Sequence, residues 1–210
     1  MTINVHEGDL PDGLTLGLVV AIDTETMGLN PARDRLCVVQ LTDGGGACHL
    51  VRLPRQGPQE AAPFEGAPNL TRLLADPERL KLFHFARFDV AALRRHFGVV
   101  TAPVWCTKIA SKLVRTYTDR HGLKDLCREL LGVDLVKTEQ SSDWGADTLS
   151  EAQTRYAAQD VLHLHALKEG LEAMLRREER LHLAEACFAF LPVRAELDLK
   201  GWGDADIFAH

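Results

Sequence analysis

Five side chains in this sequence could together hold divalent cations and hydrolyse a phosphate ester: Asp23, Glu25, Asp89, Tyr156 and Asp160. Asp23 and Glu25 close an apolar run, and residues two apart on a strand point to the same face. Asp89 follows a second apolar run at the start of a helical pattern, where an acidic residue also complements the helix dipole. Tyr156 and Asp160 are four apart in a helical segment and share one of its faces. Each feature alone has an ordinary structural explanation; together they have a chemical one. Four carboxylates at one sheet edge repel one another unless cations neutralise them, and hard oxygen donors suit magnesium or manganese. Two such ions about 3.5–4 Å apart form a clamp for in-line attack on phosphorus. A phenol with a reference pKa of about 10 stays protonated at neutral pH, so Tyr156 is suited to orient a water rather than to deprotonate it.

These side chains need elements to carry them. Apolar runs predict strands over Leu18–Asp23, Leu36–Thr42 and Ala47–Leu53, with a hairpin at Gly44–Gly46. The prolines and glycines of 52–68 predict a loop, followed by a short helix over 70–74 and a strand over 80–85. From Phe88 the apolar period becomes helical through Phe97, and Gly98 ends it. A strand at 104–106 follows, then helices over 108–114, 123–131, one continuous stretch of 149–177, and 181–190. The predicted class is therefore α/β, a mixed β-sheet flanked by α-helices in a single domain over 1–210. The residues from 191 onward form a C-terminal tail whose Leu191, Val193, Leu197, Leu199, Trp202, Ile207 and Phe208 are too apolar to stand in water, so they pack either on their own domain or, the favoured reading, on another copy of the chain.

Composition narrows the class. With 210 residues, 46% hydrophobic and 26% charged, the chain has the make-up of a globular protein able to bury a core. Residues 1–10 lack the basic flank and apolar core of a signal peptide, and no apolar run approaches the roughly 20 residues a membrane helix requires. The expectation is a cytoplasmic protein with no membrane partner. Five scattered cysteines without a CxxC pair fit buried thiols in a reducing compartment rather than a zinc site. The formal net charge of −6 argues against coating long nucleic acid, so the substrate is short or the basic surface is local. Such a local excess lies between Lys108 and Arg128.

Three segments carry a family resemblance. Asp23-Thr24-Glu25-Thr26, His84-Phe85-Ala86-Arg87-Phe88-Asp89 and Tyr156-Ala157-Ala158-Gln159-Asp160 resemble, in order and placement, the exonuclease motifs of the ribonuclease D family. Gln140-Ser141-Ser142-Asp143-Trp144 is similar to a segment preceding the third motif there, and the likeness spans most of 15–175. Tyrosine four residues before the last aspartate places the resemblance in the tyrosine subclass (DEDDy). It implies a ribonuclease H-like (DnaQ-like exonuclease) fold and a metal-dependent 3′-5′ exonuclease. In it Asp23, Glu25 and Asp160 hold one Mg or Mn ion, Asp23 and Asp89 the second, and Tyr156 aligns the attacking water. Thr24, Leu29, His84, Lys108 and Gln140 become candidate substrate-binding residues: Leu29 as a wedge between terminal bases, His84, Lys108 and Gln140 as phosphate contacts.

Two departures stand out. The second motif of typical ribonuclease D sequences has asparagine after the histidine, where this chain has Phe85, and those chains carry helical nucleic-acid-binding domains after the nuclease. The short chain, acidic balance and ending 201–210 look most like the compact bacterial nanoRNase C group. That likeness implies digestion of short RNA, down to dinucleotides, by a ring-shaped homo-oligomer. A DNA exonuclease of the repair or proofreading kind uses the same chemistry and is the alternative. A catalytically silent binding module has no reason to keep all five residues.

Overall fold

A computed structural model describes residues 2–55, 63–136, 139 and 141–209 of the chain. Six strands, β1 (Thr2–Glu7), β2 (Val19–Thr26), β3 (Leu36–Thr42), β4 (Ala47–Arg52), β5 (Leu80–Phe83) and β6 (Val104–Cys106), form one sheet in the order β1-β4-β3-β2-β5-β6. All run in one direction except β3, which is antiparallel to β2 and β4. The helices are α1 (Pro68–Ala75), α2 (Ala86–Phe97), α3 (Thr107–Val114), α4 (Leu123–Leu126), α5 (Glu151–Leu162), α6 (Leu164–Arg177) and α7 (Leu181–Leu199). The last turn of α4 widens into a π-helical stretch over Cys127–Leu131.

The central strands read as continuous apolar runs because both faces of the sheet are covered. Every residue of β3 is buried. Its single amide, Gln40, sits fully inside this run. Helix α5 packs across β2, β3 and β4, whereas α6 packs on α3 and β5, and α2 pairs with α7.

Four expectations need correction. Residues 2–7 form an edge strand; Ile3 and Val5 alternate with polar residues, but Val5 is exposed, so the apolar signal is short. Strand β2 runs on to Thr26, past the expected end at Asp23, which puts Glu25 on the strand itself. The predicted helix over 149–177 is two, broken at His163, because one straight rod cannot lie along β2–β4 and also reach α3. Helix α7 continues to Leu199 instead of stopping at Phe190, although Pro192 removes one backbone donor from its interior. The expected tail is thus partly helix. Leu191 packs in this chain's own core, while Val193, Trp202, Ile207 and Phe208 are exposed.

The N-terminal segment also fastens α1. That helix has no side-chain cap of its own, and Asp9 supplies one from a distance, accepting from Asn69 N and Leu70 N at 2.9 Å each.

Candidate active site

The parallel strands β2 and β5 deliver their carboxyl ends to one edge of the sheet, the usual place for a ligand crevice in α/β proteins. A cleft of about 610 Å³ opens there. Its floor carries Asp23 and Glu25 from β2 and Tyr156 and Asp160 from α5, and Leu29, Phe85, Lys108 and Lys124 stand on its walls.

Carboxylate oxygens of Asp23, Glu25 and Asp160 lie within 4.8 Å of one another. The pleat explains the first two and the helical period the third, since α5 lies across β2 with Asp160 turned to the sheet. Between Asp23 and Glu25, the Thr24 hydroxyl donates to Asp89 Oδ1 at 2.7 Å, which ties β2 to α2 beside the cluster. Asp89 itself is buried in the first turn of α2.

Electrostatics record the crowding. Burial, then Asp89, Asp160 and Glu25, hold the Asp23 carboxyl well above the usual carboxylate range. Burial, then Asp160 and Asp89, push Glu25 up to about 9. Asp89 is raised to about 7, chiefly by burial, against the lowering effect of the Thr24 hydroxyl. Three acids that resist ionisation, with the Asp160 carboxylate beside them, present only hard oxygen donors and fit a divalent cation of the magnesium type and not a thiophilic one. Such a cation would supply the positive charge that the surrounding protein does not.

Gln40 escaped the sequence reading. On β3 it pairs in register with Asp23, and its side-chain nitrogen donates to Asp23 Oδ2 at 2.6 Å. It also hydrogen-bonds Glu25. A lone amide inside an otherwise apolar strand was the available signal, because a buried polar group requires a partner.

The Tyr156 phenol hydrogen-bonds Asp160, and its pKa is raised by burial and then by Asp160, Glu25 and Asp23. Its ring lies 6.0 Å from that of Trp144, which is buried. The segment leading into α5 is fixed by a Ser150–Gln153 capping box, with Gln153 Nε2 also donating to the Asp143 carbonyl at 3.0 Å.

The second-motif turn is tight. Phe85 caps α2 in the left-handed conformation, φ 65° and ψ 41°, which costs a non-glycine residue about 1–2 kcal/mol. On one side of it, His84 Nδ1 meets Thr107 Oγ1 at 2.8 Å, and that hydroxyl donates to the Phe83 carbonyl at 3.3 Å. The Lys108 ammonium sits over the Phe85 ring, 4.0 Å from its centroid.

Of the candidate substrate contacts, Leu29 is 89% exposed at the cleft mouth. Thr24, His84 and Lys108 all line the cleft, although the Thr24 hydroxyl is engaged by Asp89. Gln140 lies outside the described residues. The basic excess between 108 and 128 divides. Arg115 is buried and paired with Glu129, and Arg128 pairs with Asp125. Lys108 and Lys124 face the cleft with no ion pair among the described residues.

Strand order, cleft and acidic cluster define a nuclease-type centre on a ribonuclease H-like sheet, and comparison with known proteins identifies the family. A 3′-5′ exonuclease family matches residues 10–176, and the chain belongs to it. Ribonuclease D of Acidiphilium cryptum is 39% identical over 172 residues, 82% of this chain and 42% of that protein. The chain spans about two-fifths of the length of the ribonuclease D relatives it matches. Among solved structures, Brucella melitensis NrnC is 56% identical, with a TM-score of 0.91 and 100% of both chains covered. That protein has also been solved bound to pGG and with bound Mg2+. Escherichia coli RNase D, described as an exoribonuclease involved in structured RNA processing, superposes with a TM-score of 0.72 at 26% identity, over 85% of this chain and 45% of that one. The chain is thus a member of the 3′-5′ exonuclease family, similar to the nuclease part of ribonuclease D, with a ribonuclease H-like fold.

Proposed function

We propose that the chain removes nucleotides from the 3′ end of short RNA, dinucleotides included, and releases nucleoside 5′-monophosphates with the help of two divalent ions, Mg or Mn. The observation that carries this reading is the convergence of Asp23, Glu25 and Asp160 oxygens within 4.8 Å on the floor of an open cleft. Asp23, Glu25 and Asp160 would hold one ion, and Asp23 with Asp89 the other. When bound, such ions offset negative charge at the phosphate and lower the pKa of water.

The chain's own residues do the remainder. Gln40 holds the Asp23 and Glu25 carboxylates in place from the buried side. Tyr156 keeps its proton and donates a hydrogen bond to Asp160, which leaves the phenol oxygen to accept from a water and orient it. Oxygen from that water bonds to phosphorus and releases a proton to solvent as the bond to the preceding nucleotide's 3′ oxygen breaks, and the 3′ oxygen takes up a proton from solvent. Lys108 contacts substrate phosphate, with His84 and Gln140 further substrate contacts, Thr24 steadies Asp89, and exposed Leu29 wedges between the bases.

Short RNA is favoured by two points. One is the net charge of −6, with Lys108 and Lys124 the unpaired lysines at the cleft among the described residues. The other is full-length likeness to a protein solved with pGG. Exposed Val193, Trp202, Ile207 and Phe208 favour burial against further copies of the chain, so a homo-oligomer is part of the proposal. Cys37, Cys48, Cys106 and Cys127 are buried free thiols, and no described helix is long and apolar enough to cross a membrane; both fit the cytoplasm.

The test uses 5′-labelled RNAs of two, five and twenty nucleotides, and DNA of equal lengths, with Mn2+ and then with excess chelator. Stepwise 3′ shortening with the RNA dinucleotide cut fastest supports the proposal. Faster cutting of DNA would replace the substrate, and no chelator-sensitive cleavage of any substrate would overturn it.

A further inference from the structure

The C-terminal end of α7 is fastened to the helix that carries Asp89. Arg87 stands in the first turn of α2, two residues before Asp89. Its guanidinium grips the Asp198 carboxylate with two bonds, Nε to Oδ2 at 2.7 Å and Nη2 to Oδ1 at 2.8 Å. Asp198 lies in the last turn of α7, and its side chain is only 10% exposed. A cation at the start of a helix and an anion at the end of one each oppose the dipole of their own helix. Neither charge serves the helix it stands on; the contact between the two accounts for both.

The contact is built up on the α7 side. Arg194, one turn earlier on that helix, also pairs with Asp198, at 2.9 Å. The Nη2 groups of Arg87 and Arg194 both donate to the Gly203 carbonyl, at 2.6 and 2.7 Å. Gly201 bends the chain in the left-handed conformation, φ 98°, and the Trp202 N–H returns to the Leu197 carbonyl at 2.9 Å. The ending Gly201-Trp202-Gly203 is thus a turn held by two arginines, one from α7 and one from α2.

Helix α2 needs such a hold. Phe85 at its N-cap makes no side-chain bond to the first-turn N–H groups, so the turn that carries Asp89 lacks a cap of its own. It is fixed from outside instead: Thr24 on β2 bonds Asp89, and Asp198 on α7 bonds Arg87. A second pair, Arg94–Glu196 at 3.1 Å, joins the same two helices two turns further along α2. Resting on the metal-site reading above, we propose that Asp198 is a positioning residue for Asp89. Through Arg87 it holds the first turn of α2 in place and so sets the affinity for the cation that Asp89 would hold.

The experiment is a calorimetric Mn2+ titration of the wild type, Arg87→Met, Arg87→Lys, Asp198→Asn and Arg194→Met, with melting temperatures measured alongside. Arg87→Met and Asp198→Asn are repeated in an Asp89→Asn background. Groups that orient metal ligands directly change metal affinity by about 10–100-fold, and Asp198 acts at one further remove, so Arg87→Met and Asp198→Asn should each weaken Mn2+ binding about three- to tenfold. Arg87→Lys, which keeps the charge and loses the fork, should fall between them and the wild type. Arg194→Met loosens the C-terminal turn without touching α2, so it should lower the melting temperature and leave Mn2+ affinity unchanged. With Asp89 already replaced, neither Arg87→Met nor Asp198→Asn should weaken Mn2+ binding further.

Equal weakening with and without Asp89, or weakening by Arg194→Met as strong as by Arg87→Met, would make the contact a general support of the fold and overturn the proposal. So would unchanged Mn2+ affinity in a folded Arg87→Met protein. Absence of Mn2+ uptake by the wild type would overturn the metal reading itself, and this inference with it.

Discussion

The side-chain nitrogen of Gln40 lies 2.6 Å from Asp23 Oδ2, across the β2–β3 ladder from the residue with which it pairs in register. The carboxylates of the cluster are therefore supported from inside the sheet before any cation is present. Groups that orient metal ligands in this way typically change metal affinity or activity by about 10–100-fold when removed. Gln40→Leu, similar in volume and suited to an apolar strand, should lower kcat/KM by about that factor and raise the Mg2+ concentration for half-maximal activity. Its melting temperature should stay near that of the wild type. Unchanged metal dependence in a folded Gln40→Leu protein would remove Gln40 from this role.

The Thr24 hydroxyl donates to Asp89 at 2.7 Å. If it serves Asp89 and not substrate, Thr24→Val, which keeps the shape and deletes the oxygen, should act mainly on kcat and leave KM within about twofold. A rise in KM at constant kcat would instead make Thr24 a substrate contact. Steady-state kinetics on a dinucleotide separates the two.

The cluster also links metal, protons and stability. Unfolded aspartate and glutamate titrate at about 3.9 and 4.3, whereas in the folded chain Asp89 is raised to about 7 and Glu25 to about 9. Between these values the folded chain holds protons that the unfolded chain has released. Without metal, these groups therefore make stability fall as pH rises from about 4 through about 9. A bound cation takes the place of those protons. The increase in melting temperature caused by Mg2+ should accordingly grow between about pH 6 and pH 9, measured against a chelator control. An increase that does not change with pH would contradict this linkage.

Much of this was legible from residue types and spacing. Strands β2 to β6 follow apolar runs, and Asp23, Glu25, Tyr156 and Asp160 line one cleft while Asp89 hydrogen-bonds Thr24 next to them. What local pattern could not give was tertiary. Strand β1 holds its place through a parallel ladder with β4, with few buried side chains of its own. Pro192 reads as a stop, yet α7 passes through it because Leu191 and Ala195 are buried on either side. The break at His163 depends on what α5 and α6 pack against. Phe85 in a left-handed turn, with Lys108 above it, joins positions 23 residues apart in the sequence, and no periodicity reports such a pair.

The central claim is that Asp23 anchors a metal centre that cleaves short RNA, and turnover of pGG by Asp23→Asn in saturating Mn2+ tests it most directly. Metal-assisted charge stabilisation is worth several kcal/mol, so the account predicts a loss on the order of a thousandfold or more. In chelator, the variant should melt no lower than the wild type, because one of the mutually repelling carboxylates is gone. A folded Asp23→Asn protein that releases GMP at close to the wild-type rate would contradict the account.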